Sequence, residues 1–225
     1  MVPAAGPVLG VDTATSRTGI ALVDDTVVLA EAAFHRRVPP SRSLMPALEV
    51  ILSAAGLEPA GLAALAVTVG PGGFTGIRVG LATMRALAEA TGRPLAGVST
   101  LAAVAAAVSS DDRPVAVWLD AGRHEVYAGL FHGGDAAGPE SVASPADVLA
   151  DLPHGPILFA GDGALCHAAL IAGRAGAAPA DTVSGMPAGV AAATARLGRQ
   201  ALAAGTALPP APRYLRPPDA TLARG

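Results

Sequence analysis

The sequence contains no lysine: all 15 of its cations are arginine. That excludes a P-loop lysine, a Schiff base and an ammonium nucleophile. It contains no asparagine, so no N-glycosylation acceptor exists. One cysteine, Cys166, leaves no internal disulfide to form, which fits a reducing cytoplasm. The start of the chain has no basic segment and soon meets Asp12, so no signal peptide is expected. No apolar run reaches the ~18 residues of a membrane span, because Arg85, Glu89 and Arg93 interrupt the longest one. There is no excess of positive charge either: the net charge is −3 and the pI about 5.9. A free-standing nucleic-acid binder usually has a domain pI above about 9. Any role on RNA is therefore expected to run through a partner.

Small residues are plentiful. Alanine dominates, beside 27 Gly and 20 Pro in 225 residues. GC-rich codons account for that bias and for the missing lysine. Gly and Pro together stay below the roughly 25–30% that marks low-complexity disorder. Hydrophobic residues make up 52%, enough to build a core. The length suits one large domain or two small ones.

Three short apolar runs open the chain, at residues 8–11, 19–23 and 27–31. They read as a strand meander. A helix follows a polar loop over 35–42, with Ser43 as its cap and Leu44, Leu48, Ile51 and Ala55 at helical spacing. Residues 63–69 form a buried-type strand that runs into Gly70-Pro71-Gly72-Gly73-Phe74-Thr75-Gly76. A long helix then carries Ile77, Leu81, Met84 and Ala88 on one face, and Gly92 and Pro94 stop it. A strand at 95–98 and an Ala-rich helix at 101–108, capped by Ser99 or Thr100, complete the order βββαβαβα. Residues 109–113 are polar and mark a boundary. The pattern then restarts: a strand at 115–119 ending in Asp120, a turn, and a strand at 126–131. A strand at 157–160 and helices near 164–172 and 188–204 follow. The fold expected is α/β, in an element order that the ribonuclease H-like fold shares, with two units over residues 6–108 and 112–205. A Pro- and Arg-rich irregular tail occupies 206–225.

Asp12 and Asp120 each end a strand, at the sheet edge where α/β ligands bind. Two such carboxylates can hold a cation and a phosphate between them, or each can cap its own turn. The residue 70–76 loop meets a helix N-terminus, which favours anions. Its glycines also permit close packing, and Gly76 and Gly80 leave a flat strip one turn apart. Gly161-Asp162-Gly163-Ala164 reads as a tight turn or an adenosine contact. The five histidines, His35, His124, His132, His154 and His167, form no zinc-ligand spacing. Cys166 and His167 are helix neighbours that do not face each other, so Cys166 is expected to be a buried structural thiol. No nucleophilic triad assembles. No metal and no cofactor are expected.

Val8-Leu9-Gly10-Val11-Asp12-Thr13-Ala14-Thr15, the run from Gly70 through Ile77-Arg78-Val79-Gly80, and Gly97-Val98-Ser99-Thr100-Leu101 resemble the TsaB (YeaZ) family. Asp120-Ala121, Glu125-Val126-Tyr127 and Arg213-Tyr214-Leu215-Arg216 extend the resemblance over nearly the whole chain. It implies two ribonuclease H-like (actin-like ATPase) subdomains, and a non-catalytic subunit for N6-threonylcarbamoyladenosine formation beside the anticodon of tRNAs reading codons that begin with A. The partners it implies are a TsaD-like transferase and a TsaE-like ATPase. Asp12, Thr13, Asp120 and Gly161 would then be a vestigial nucleotide site. The first two long helices would build the partner interface, through Leu44, Leu48, Ile51, Leu52, Ile77, Gly80, Leu81 and Met84. The alternative is that these stripes cover the protein's own sheet. Self-pairing when the partner is absent stays open. Pro40-Ser41-Arg42 stands where the family has a His-Ser-Glu-like run. Gly122-Arg123-His124 departs from the usual position of Arg after Asp120. Two other classes remain: an ATP-dependent enzyme of the sugar-kinase or actin type, resting on Asp12, Asp120 and Gly161, and a metallopeptidase.

Overall fold

Alternation sorts the first sheet's side chains onto two cores. In the computed structural model, which describes residues 5–35, 38–108, 112–174 and 182–216, strand β1 (Val8–Asp12) is buried on both faces. Leu9 and Val11 join one core while Val8 joins the other. β2 (Arg17–Asp24) divides Ile20 and Leu22 from Ala21 and Val23 in the same way. β4 (Ala64–Gly70) divides Leu65, Val67 and Val69 from Ala64 and Ala66. The large residues face one side of the sheet and mostly small ones the other.

β3 (Val27–His35) and β5 (Leu95–Ser99) complete a sheet of order β3-β2-β1-β4-β5. The first three strands are antiparallel, and β1, β4 and β5 run parallel. α1 (Pro40–Ala54) and α2 (Phe74–Thr91) cover the large-residue face. α1 begins three residues before the expected cap. Pro39 is its N-cap and Pro40 its first residue, with φ pre-set for a helix, while Ser43 Oγ only donates to Pro39 O at 3.3 Å. Gly92 ends α2 in the left-handed conformation. α3 (Thr100–Ala107) is capped by Ser99, whose Oγ accepts from Ala102 N.

The second sheet repeats the first. β6 (Val115–Gly122) pairs antiparallel with β7 (Glu125–His132), and β7 with β8 (Asp135–Ala136) and β9 (Ser141–Ala143). β10 (Leu158–Ala160) and β11 (Thr182–Ser184) add in parallel beside β6. α4 (Pro145–Ala150) lies near β7. The helix expected near 164–172 breaks at His167 into α5 (Asp162–Cys166) and α6 (Ala168–Ala172). Cys166, expected to be buried, is exposed on α5.

α7 (Val190–Ala204) lies in the stretch assigned to the second subdomain, yet it packs on the first sheet. A Cβ on Gly10 would strike the Ala191 carbonyl, and one on Gly198 would strike Ala66 Cβ. The helix and the sheet touch nearly backbone to backbone, which is what the small-residue face permits. α3 and α7 then join both sheets in one core, with Leu101, Val104, Val117, Leu119, Phe131, Leu158, Val190 and Ala195 among its members. The boundary after residue 108 therefore divides the sheets but not the packing. Ser109, Ser110 and Asp111 of that boundary lie outside the described residues, as do 36–37 of the first loop and 217–225 of the tail.

Candidate functional site: the cleft between the two sheets

Asp12 ends β1 and is 1% exposed. Its Oδ1 accepts from Ala14 N at 3.0 Å and from Thr68 Oγ1 at 2.7 Å. Its Oδ2 accepts from Thr15 Oγ1 at 2.5 Å. The carboxylate thus caps its own turn and ties β1 to β4. It does not line the clefts that hold Asp120. Thr13 is fully buried, and its Oγ1 donates to Gly76 O at 2.7 Å. These two members of the expected nucleotide site are spent on internal bonds.

The residue 70–76 loop lies where the sequence places it, between β4 and α2. Gly73 N donates to Ala14 O at 2.7 Å, so a donor that an anion would use is already engaged. Gly70 has φ 115°, and a side chain there would strike the Arg213 carbonyl. The flat strip on α2 faces inward: a Cβ on Gly80 would strike Thr13 Oγ1.

In the second half, β6 and β7 meet at a two-residue turn, with Arg123 at φ 56° and His124 at φ 62°. Asp120 is exposed and accepts from Gly122 N at 2.8 Å. Asp120 N donates to Asp162 Oδ1 at 3.1 Å, and Gly163 N donates to the same oxygen at 3.0 Å. Gly161 has φ 107° and lies against the Trp118 carbonyl. It makes the tight turn that lets α5 rest on the end of β6. Asp120 and Asp162 share a cavity of about 290 Å³ with Ala14, Thr15, Gly72 and Gly73. Of the two readings of Asp12 and Asp120, the one seen is that each caps its own turn, Asp12 through Ala14 N and Asp120 through Gly122 N, and Asp12 is further held by Thr15 and Thr68.

A second cavity, of about 460 Å³, adjoins it. Gly72, Gly73 and Phe74 line it from the first half, Asp120, Ala121 and Tyr127 from the second, and residues 213–216 from the tail. The tail is not free of structure here. Gly97 N donates to Leu208 O at 2.9 Å, and Arg213 N donates to Val69 O at 2.7 Å, so the chain runs back along β5 and β4. Tyr214 stacks on Phe74 with centroids 4.5 Å apart, and Arg78 lies 4.0 Å over the other ring partner, Phe74. Phe74, Tyr127, Arg213, Tyr214 and Arg216 line this cavity and are not among the expected site residues; Arg78, Glu125 and Glu140 bond to them from outside its lining. The scarcity of aromatics, with two tyrosines in the chain, was the available signal for Tyr214; nothing in the sequence marks Glu140.

The expected partner-interface residues are not at the surface. Leu44, Leu48, Ile51, Leu52, Ile77, Leu81 and Met84 are all at most 7% exposed and form one core with Leu9, Ile20 and Val67. Gly80 is buried with them. A helix facing a sheet buries its apolar stripe there, so this side of α1 and α2 is not available to a partner. Outward on α1 stand Met45, 53% exposed, and Val50, 66% exposed.

Two sheets built on one 3-2-1-4-5 order, the second with an extra strand, β9, on β7, and a cleft at their strand ends define a two-lobed protein of the ribonuclease H-like, actin-like ATPase class. Component A of (R)-2-hydroxyglutaryl-CoA dehydratase from Acidaminococcus fermentans shares this fold, with a TM-score of 0.52 at 9% identity. YeaZ from Pseudomonas aeruginosa superposes with a TM-score of 0.77 at 26% identity, over 93% of this chain and 100% of that one. The TsaB biosynthesis protein for tRNA threonylcarbamoyladenosine of Bacillus subtilis is 30% identical over 170 residues, 73% of this chain and 74% of that protein. An uncharacterized Mycobacterium tuberculosis protein is 35% identical over 215 residues, 95% of this chain and 93% of its own. Residues 40–195 match the model of the TsaD family, tRNA N6-adenosine threonylcarbamoyltransferase. The chain belongs to the TsaB (YeaZ) family.

Proposed function

We propose that the chain serves tRNA threonylcarbamoyladenosine synthesis as a non-catalytic subunit, pairing with and activating a TsaD-like transferase that a TsaE-like ATPase joins. tRNA is met only through that complex. The observation that supports a non-catalytic role most is the state of Asp12. The carboxylate that ends β1, the central strand of the first sheet, is buried and bonded to Ala14, Thr15 and Thr68. The family supplies the process; the residues supply the reason to look for the chemistry elsewhere.

The partner surface in this reading is the outward side of α1 and α2. Its apolar anchors are Met45 and Val50, with Ala82 and Ala86 exposed on α2. Burying two such side chains contributes about 1.5–3 kcal/mol each. Met45→Arg and Val50→Arg together are expected to keep the fold and abolish co-purification with the transferase. In cells depleted of the native protein, mass analysis of tRNA nucleosides should show threonylcarbamoyladenosine restored by the parent chain and not by the double variant. Unchanged modification after depletion would overturn the reading, and pairing that survives both substitutions would overturn the surface. Asp120 and Asp162 beside Gly72 and Gly73 keep one other reading in play, an ATP-dependent enzyme. ATP turnover by the purified chain, lost in Asp120→Ala, would favour it.

A further inference from the structure

Besides the direct hydrogen bond from Ser99 to Glu140, two sets of contacts join the halves among the described residues. One joint is the shared core of α3 and α7. The other lies across the mouth of the cleft and is made by residues 208–216. This segment first fastens to the first half: Leu208 to Gly97, Arg213 N to Val69 O, and Arg85 Nε to Pro210 O at 2.7 Å. Tyr214 stacks on Phe74 and its hydroxyl accepts from Arg78 Nε at 3.1 Å. The same few residues then reach the second half. The Arg213 guanidinium pairs with Glu140, whose other oxygen accepts from Ser99 Oγ. The Arg216 guanidinium pairs with Glu125 and donates to Ala121 O at 3.2 Å.

We propose that residues 208–216 are a built-in clasp, which fixes the width of the cleft between the two sheets and fills its mouth with the chain's own Tyr214 and Arg216. A body hinged at one joint can open and close; a second link on the open side removes that freedom. Leu208, Pro210, Tyr214 and the Arg213 amide grip the first half while the Arg213 and Arg216 guanidinium groups grip the second, so no one half can carry the segment away. Each ion pair is only partly buried: Arg213 and Glu140 are 40% and 9% exposed, Arg216 and Glu125 19% and 36%. Such pairs weaken with salt and are individually weak. The clasp is therefore a latch that can release, held by several contacts acting together on one short segment. This inference does not depend on the transferase partnership.

The test uses the full chain with two spin labels, one on the native Cys166 of the second half and one on Glu89→Cys of α2, both exposed positions. The parent protein should give one narrow distance distribution. Arg216→Glu should broaden it and move it to longer separations, and Glu125→Arg in the same chain should narrow it again. Raising salt should mimic Arg216→Glu in the parent. If Arg216→Glu costs the fold, judged by circular dichroism, Tyr214→Ala carries the same expectation. A distribution that stays as narrow in the folded variants as in the parent overturns the clasp.

Discussion

Asp12 accepts hydrogen bonds from one backbone amide and two threonine hydroxyls while almost wholly buried. Hydrogen bonds to a charged group contribute about 1.5–3 kcal/mol each, and donors left buried without a partner cost more still. Asp12→Ala should therefore lower stability by about 3 kcal/mol or more in urea titration followed by circular dichroism at 222 nm, and a loss under ~0.5 kcal/mol would show that the network contributes little. That Asp12 ends a strand was legible from four apolar residues before it. Its partner Thr68 was not, since it stands 56 positions away and only the β1–β4 pairing brings it near. Gly161 was legible as a turn for a local reason: the φ it adopts is one that other residues resist.

At the scale of elements, periodicity revealed α1 and α2 and their apolar stripes. It did not reveal what each stripe meets, because a hydrophobic pattern encodes burial and not the identity of the covering surface. Hence Leu81 and Met84 read as well for a partner as for a sheet, and the sheet holds them. The short elements β9, α4 and β11 carry too few residues for a period to show. α7 was visible as a helix, and its seat on the first sheet was not, although Gly10, Ala66 and Gly198 are the residues that make room for it. Gly198→Val should push α7 off β4. An overpacked core typically loses about 1–3 kcal/mol, and thermal unfolding monitored at 222 nm should show it. An unchanged transition would mean that the helix can shift freely on the sheet.

For the whole molecule, the element order was legible as two repeats, and the two sheets follow it. The shared core changes what the repeat means for folding. Because α3 and α7 serve both sheets, the halves should unfold together. Trp118, the only tryptophan, sits in the second half and reports it alone, while circular dichroism reports the whole chain. The two probes should give coincident urea transitions; separated midpoints would show two independent units.

One detail of the cleft bears on engineering. The amide of Gly73 is held by the carbonyl of Ala14, main chain to main chain. Side-chain replacement cannot release such a bond, because both atoms belong to every amino acid that might be put there except proline. Freeing that one donor for a phosphate at the start of α2 would therefore require redrawing the path of the backbone between β1 and β2. Point mutation can tune this cleft, but it cannot give back the donor.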